Sequence, residues 1–405
     1  MNAPRKGTGG ALGWVAILYL AQGLPFGVFT ECVPVYLRVH GAGLQEIGLL
    51  TLLGLPWTLK VLWAPLVDRF GKPQAWISTA LAAMAIALLL LGGVDAGRPT
   101  QYLIPLLALF TLASATQDIA IDAYTIGLLK PRQVGTANGI RVTSYRIALI
   151  LGGGGIVALA ETRPWSSLFA LTAALLALIA GAVLLSTPIA RDERERRRIF
   201  PPLLAWVRRP ATGWVFLFIL VYKLGDAAMA PMVKPFWVDR GMSLLEIGMI
   251  STTLGVGATI AGALLGGWFT SRRGILAGLI ILGLAQAASN LVYAGVAATS
   301  SAAAAIYAAS LVESFTAGLG TAAFLAFLMS ICQKEHAATQ YALLTALFGL
   351  GRSIAGAASG WGVERLGYAP YFAFTFLLAL PAFALLPAVA RYLRASSDGR
   401  AIVES

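Results

Sequence analysis

Two aspartates, Asp118 and Asp122, stand four residues apart inside a mostly apolar stretch, FTLASATQDIAIDAYTIGLL over 110–129. At helical spacing their carboxylates lie one above the other on a single face. Carboxylates so placed can carry a proton or hold a cation, and nothing else in the stretch competes for either. Glu31, Lys60, Arg141, Arg146, Lys223, Asp226, Lys234, Glu313 and Arg352 also interrupt long apolar runs. A charge at the centre of a bilayer costs about 2.5–3.5 kcal/mol on insertion scales. A chain that bears eleven of them is expected to use them on the path of a solute or a proton.

The elements that must position these charges follow from composition. The 405 residues are 58% hydrophobic and 12% charged, against about a quarter charged in soluble domains. That balance predicts an all-α polytopic membrane protein. The formal net charge of +12 invites a nucleic-acid reading. No soluble stretch is long enough to fold a binding domain, and Lys and Arg gather in cytoplasmic loops of membrane proteins anyway. Cys32 and Cys332 are far apart, and His40 and His336 fall in predicted loops on opposite sides, so neither a metal site nor a cofactor site is expected. The apolar run after Arg5 and Lys6 is too long for a signal segment and reads as a retained first membrane helix.

With about 20 apolar residues needed per crossing, twelve transmembrane helices are predicted. They cover 13–37, 44–67, 75–94, 102–129, 134–160, 165–186, 213–238, 244–269, 274–296, 302–331, 337–363 and 371–393. The loops on one side carry 19 Lys and Arg and those on the other 5 (Arg38, Arg98, Arg163, Arg240 and Arg365). The first side is therefore expected to be cytoplasmic, with both termini there. The long polar segment 187–212, with its run Arg191–Arg198, reads as a cytoplasmic linker between an N-terminal bundle, 1–186, and a C-terminal bundle, 213–405.

The two bundles repeat. GAGLQEIG at 41–48 matches GMSLLEIG at 241–248, an offset of 200 residues, and Asp68-Arg69-Phe70-Gly71-Lys72 is echoed by Ser271-Arg272-Arg273-Gly274. Two pseudo-symmetric six-helix bundles joined by a linker resemble the major facilitator superfamily. That resemblance implies a substrate site between the halves near the midplane. The Asp68, Arg69, Lys72 loop resembles the superfamily's loop signature, which implies a conformational gate. The glycines at 152–155 and the pair Gly262 and Gly266 read as close helix packing rather than phosphate binding, since no strand precedes them.

Finer blocks narrow the resemblance. YLAQGLPF at 19–26, GLPWTLKVLWAPLVDR at 54–69, ATQDIAIDAY at 115–124, SYR at 144–146, YKLGDA at 222–227 and GWGVERLG at 360–367 are similar to the peptide and acetyl-coenzyme A transporter branch. Its best-known members are the AmpG-type muropeptide permeases. The resemblance implies proton-coupled import of anhydro-muropeptides, the products of cell-wall recycling, across the bacterial inner (plasma) membrane. The acetyl-coenzyme A branch shares the Lys-x-Leu-Trp-Ala-Pro and Gln-Asp-Ile blocks, so these motifs do not separate the substrates.

On this reading Asp118 and Asp122, then Asp226 and Glu313, are the candidates for proton coupling during alternating access. Lys60, Arg141, Arg146, Lys223 and Arg352 are candidates to meet an anionic solute, with Gln22, Tyr145 and Tyr341 as hydrogen-bonding partners. The six cations and five acids of the set make a neutral to slightly positive lining. Two structural alternatives stand beside these roles. Lys223 and Asp226 lie within one turn and can neutralise each other, and Asp122 can pair with Arg141 or Lys60 to pin helices. Gln22 and Glu31 fall on opposite faces unless Pro25 and Gly27 bend the first helix. The expected partners are a small anionic solute, protons and membrane lipid, with no nucleic acid, in a monomer. Rival functions are a transporter of another anionic metabolite such as acetyl-CoA, a drug exporter of the same fold, and an intramembrane enzyme. The enzyme lacks a Ser/His or metal-ligand constellation at membrane depth.

Overall fold

A computed structural model describes residues 8–93, 100–129, 134–186, 212–299, 302–332 and 337–401. The predicted linker, 187–212, lies outside this set except for Thr212. The fold is all-α and polytopic. Eleven spans among the described residues are long and apolar enough to cross a membrane. They are α1 (Gly10–Val39), α3 (Pro73–Gly93), α4 (Leu103–Thr125), α5 (Thr136–Leu159), α6 (Trp165–Leu184), α7 (Thr212–Asp239), α8 (Leu244–Arg273), α9 (Ile275–Thr299), α10 (Ala303–Ser330), α11 (Gln340–Leu366) and α12 (Tyr368–Leu393).

The remaining expected helix, 44–67, is present in pieces. Helical segments Leu44–Leu49, Leu55–Leu59 and Ala64–Arg69 are joined by 3₁₀ turns at Leu50–Gly54 and Lys60–Leu62; together they are α2. Pro56 and Pro65 each lack the N–H that an unbroken α-helix needs, and Gly54 adds backbone freedom. Lys60 therefore sits at the start of a tight turn rather than in a regular helix.

Three other spans contain π-helical turns: Val28–Cys32 in α1, Ile150–Gly155 in α5 and Ile247–Leu254 in α8. Each wide turn shifts the register of the residues beyond it. In α1 the turn follows Pro25, so Gln22 and Glu31 are separated by a register change and not by a simple bend.

Contacts divide the chain into two compact units that are not identical with the two sequence halves. The first holds α1, α2 from Leu59 onward, α3 to α6, and Gly241–Thr253. The second holds Gly43–Thr58, α7, α8 from Leu254 onward, and α9 to α12. Without a hydrophobic force between helices in lipid, association depends on close packing and hydrogen bonds, and both are visible. In the first unit Ser78 Oγ donates to Ala180 O at 2.8 Å, tying α3 to α6. Tyr36, Trp165 and Phe169 meet edge-on or tilted, with ring centroids 5.1–6.0 Å apart. In the second unit Tyr222 stacks on Phe324 at 5.2 Å and donates to Leu279 O at 2.8 Å. Gly262 and Gly266 of α8 meet the Phe315 and Leu319 backbone of α10, the close packing their spacing predicts.

The repeated octapeptides fold alike. Gly41 and Gly241 both adopt positive φ, 87° and 72°, where a Cβ is disfavoured. Glu46 Oε2 then accepts from Gly43 N at 3.1 Å, and Glu246 Oε2 from Ser243 N at 2.7 Å, so each helix start is closed by a capping carboxylate. A second carboxylate reaches each start from another helix end. Glu364 accepts from Gln45 N and Gln45 Nε2 at 3.2 and 2.5 Å in the second unit. Glu161 accepts from Leu244 N and Leu245 N at 2.8 and 3.3 Å in the first.

Candidate functional site

In the first unit the charges gather on α4. Asp122 Oδ1 accepts from Tyr19 Oη at 2.6 Å and from Arg141 Nη2 at 3.2 Å, joining α1, α4 and α5. The Arg141 guanidinium also lies over the Tyr19 ring, 4.5 Å from its centroid, a cation–π contact worth about 0.5–2 kcal/mol. One turn earlier, Asp118 Oδ2 pairs with Lys60 Nζ at 3.2 Å, joining α4 to the 3₁₀ turn of α2. Gln22 is a hydrogen-bonding neighbour of Asp118 and ties the same group to α1. Trp63 Nε1 donates to Thr116 Oγ1 at 3.2 Å, which holds the broken part of α2 against α4 beside Lys60.

Exposure separates the two pairs. Asp118 is 10% exposed in its side chain and Lys60 33%. Arg141 and Asp122 are 38% and 43% exposed. An ion pair that open is worth about 0–1 kcal/mol; an anion can compete for its Arg141 and a proton for its Asp122.

The second unit holds another charge cluster. Lys223, at the start of the second part of α7, pairs with Asp226 at 3.7 Å. Its Nζ also donates to Gln286 Oε1 of α9 at 2.5 Å and to Thr321 Oγ1 of α10 at 2.9 Å. Ser314 Oγ donates to Glu313 Oε2 at 3.3 Å. Asp226, Lys223 and Lys234 are the charges acting on Glu313, and Arg352 acts on Lys223. The in-turn pairing of Lys223 with Asp226 and the pairing of Asp122 with Arg141, both open alternatives in the sequence, are formed.

Other residues singled out from the sequence make different contacts. Tyr145 packs its ring 6.2 Å from Phe26. Arg146 is half-buried and makes no ion pair with a described residue. Tyr341 packs against the hydrophobic core of the second unit that includes Leu344 and Cys332. Arg352 is exposed. In the loop after α2, Arg69 lies 5.6 Å from the Phe70 ring and Lys72 is exposed, while the side chain of Asp68 falls outside the described set. Glu31 accepts from Thr252 Oγ1 at 3.3 Å. No group of three His, Cys, Asp or Glu that could hold a metal occurs among the described residues.

Sequence reasoning gave no role to Tyr19, Gln286 and Thr321. Neutral polar residues carry no insertion cost comparable to a charge, so a hydropathy contrast does not flag them. Gln286 alone had a weak signal, as the one amide inside the apolar run GLIILGLAQAA.

Long apolar helices that carry ion pairs between them define the class, a polytopic membrane transporter. A family model of the Major Facilitator Superfamily matches residues 15–225. The anhydromuropeptide permease of Escherichia coli (strain K12) is 32% identical over 381 residues, which cover 91% of this chain and 78% of that one. The putative transporter AmpG 4 of Rickettsia conorii is 28% identical over 393 residues, 92% of this chain and 94% of that one. Among solved structures, a bacterial homolog of the human lysosomal transporter Spinster superposes with a TM-score of 0.78 at 15% identity, covering 98% of this chain and 99% of that one. The chain belongs to the Major Facilitator Superfamily and, within it, to the AmpG-type permeases.

Proposed function

We propose that this transporter imports anhydro-muropeptides together with protons, by alternating access of its two halves. The observation that carries the reading is the Tyr19–Asp122–Arg141 cluster, whose ion pair is about two-fifths exposed on both sides and stands one turn from Lys60–Asp118. A muropeptide brings peptide carboxylates. A carboxylate that binds Arg141 or Lys60 takes the cation from Asp122 or Asp118. The freed aspartate loses the partner that favoured its ionised form and takes up a proton. Solute and proton then enter as a neutralised set. Release on the far side restores the two ion pairs and expels the proton. In the second half Asp226 and Glu313 form a second proton-accepting pair, and exposed Arg352 meets the solute's remaining negative charge. Asp68, Arg69 and Lys72 act at the gate. The similarity to an E. coli anhydromuropeptide permease over 91% of the chain supports the choice of solute.

The test is uptake by purified protein in liposomes under an inward proton gradient, with labelled anhydro-muropeptide and acetyl-CoA offered in parallel. Accumulation of the muropeptide that disappears when the gradient is collapsed is expected. Accumulation of acetyl-CoA alone reassigns the solute, and movement of neither overturns the import reading.

A further inference from the structure

Lys223 is 5% exposed, yet its ammonium donates to Gln286 Oε1 at 2.5 Å and Thr321 Oγ1 at 2.9 Å and pairs with Asp226 Oδ2 at 3.7 Å. The two shorter contacts are to neutral groups, and they come from α9 and α10 rather than from α7. The orientation of the Gln286 amide is fixed by chemistry, since an ammonium only donates and the oxygen must face it. Its Nε2 is consequently left buried with no hydrogen-bond partner among the described residues. Gly320 of α10 makes the room, because a Cβ there would run into Gln286 Oε1. A buried amide that leaves its own N–H₂ unpaired to present oxygen to one lysine is placed for that lysine.

We propose that Gln286 and Thr321 are positioning residues, a neutral cradle that holds the Lys223 ammonium in one place whether or not Asp226 is ionised. The proposal rests on the reading that Asp226 and Glu313 take up a proton during transport. If Asp226 alone held Lys223, protonating it would set the cation loose. With the cradle, the proton is the only charge that moves, and the two carboxylates titrate against a fixed cation. Asp226 is 27% exposed against 5% for Lys223, so the acid is the more accessible of the two groups. The charges facing the pair are Asp226 and Lys234 on α7, Glu313 on α10 and Arg352 on α11. Tyr293 of α9 faces Glu313, and Tyr371 of α12 is committed to Ala228 O.

The test is an infrared pH titration of the full chain in liposomes without solute. The protonated-carboxyl band is assigned by its loss in Asp226→Asn and Glu313→Gln. Without the cradle Asp226 is the partner left to the buried ammonium, so protonating it would leave that cation unpaired, and the carboxylate stays ionised to lower pH. Gln286→Leu and Thr321→Val are each expected to lower the titration midpoint by about one unit, tenfold in proton concentration. Thr321→Ser, which keeps the hydroxyl, is expected to restore the original midpoint. Thr321→Val is nearly isosteric, so the test stands if Gln286→Leu fails to fold. Midpoints within about 0.2 unit of the wild type in the folded variants overturn the proposal, as does a wild type in which no such band titrates. Gradient-driven uptake of labelled anhydro-muropeptide by Asp226→Asn is read in parallel. Uptake at the wild-type level sinks the coupling reading separately, while the titration still decides the cradle.

Discussion

At Asp122 three side chains from three helices converge, and each supplies something different. Tyr19 donates a neutral hydrogen bond at 2.6 Å, Arg141 supplies charge at 3.2 Å, and the Tyr19 ring backs the guanidinium. Asp122→Asn keeps the shape and an acceptor but removes the proton site. It is expected to abolish gradient-driven accumulation while solute exchange across the liposome persists; accumulation at the wild-type level sinks this role. Tyr19→Phe removes a single hydrogen bond to a charged group, worth about 1.5–3 kcal/mol, and leaves the ring under Arg141. Its expected signature is solute affinity changed by roughly tenfold or more with coupling retained, measured by equilibrium binding. The charged half of this site was legible in the sequence, because a charge in an apolar run announces itself by its cost. The pairing was legible only as alternatives: Asp122 takes Arg141, one of its two open partners, while Lys60 goes to Asp118, 58 residues away, which nothing local specifies.

Between elements, the two repeated helix starts show how the fold manages close approach. Gly48 packs on Gly360, where a Cβ would meet the Gly360 N at 2.9 Å. Gly248 packs on Gly154 and Ala158, where it would meet Ala158 N at 2.6 Å. Overpacking of this kind costs roughly 1–3 kcal/mol, so Gly248→Val is expected to lower the melting temperature in detergent by several degrees. Glu161→Gln removes only the charge facing the α8 start, worth about 0.3–1 kcal/mol, and is expected to lower it by less. An equal loss in both variants would mean that the carboxylate and not the packing holds the contact. Helix positions were readable from apolar run length; the break in α2 was not foreseen, although Pro56 and Pro65 mark it. The π-helical turns in α1, α5 and α8 were not readable. They occur where Gly153 meets Glu31 and Gly154 meets Gly248, so they answer to neighbours distant in sequence rather than to local preference.

For the whole molecule, the asymmetry of 19 Lys and Arg against 5 in the loops makes a statement about direction. Glu161 and Arg273 are both exposed, at loops assigned to opposite sides. In a chain with Cys32 and Cys332 replaced by Ser, Glu161→Cys is expected to react with a membrane-impermeant maleimide on intact cells. Arg273→Cys is expected to react only after permeabilisation, and the reverse pattern would place both termini outside. The repeat sets 41–48 against 241–248, and the division into compact units has a consequence for both copies. Gly43–Thr58 makes its contacts within the second unit and Gly241–Thr253 within the first. Each copy has lent the other the opening of its second helix. A gene cut in the linker would therefore yield two fragments that each lack a borrowed piece, so neither is expected to mature alone and the two should be recovered only when synthesised together. The repeat gives the chain its symmetry, and the exchange makes each copy depend on the other.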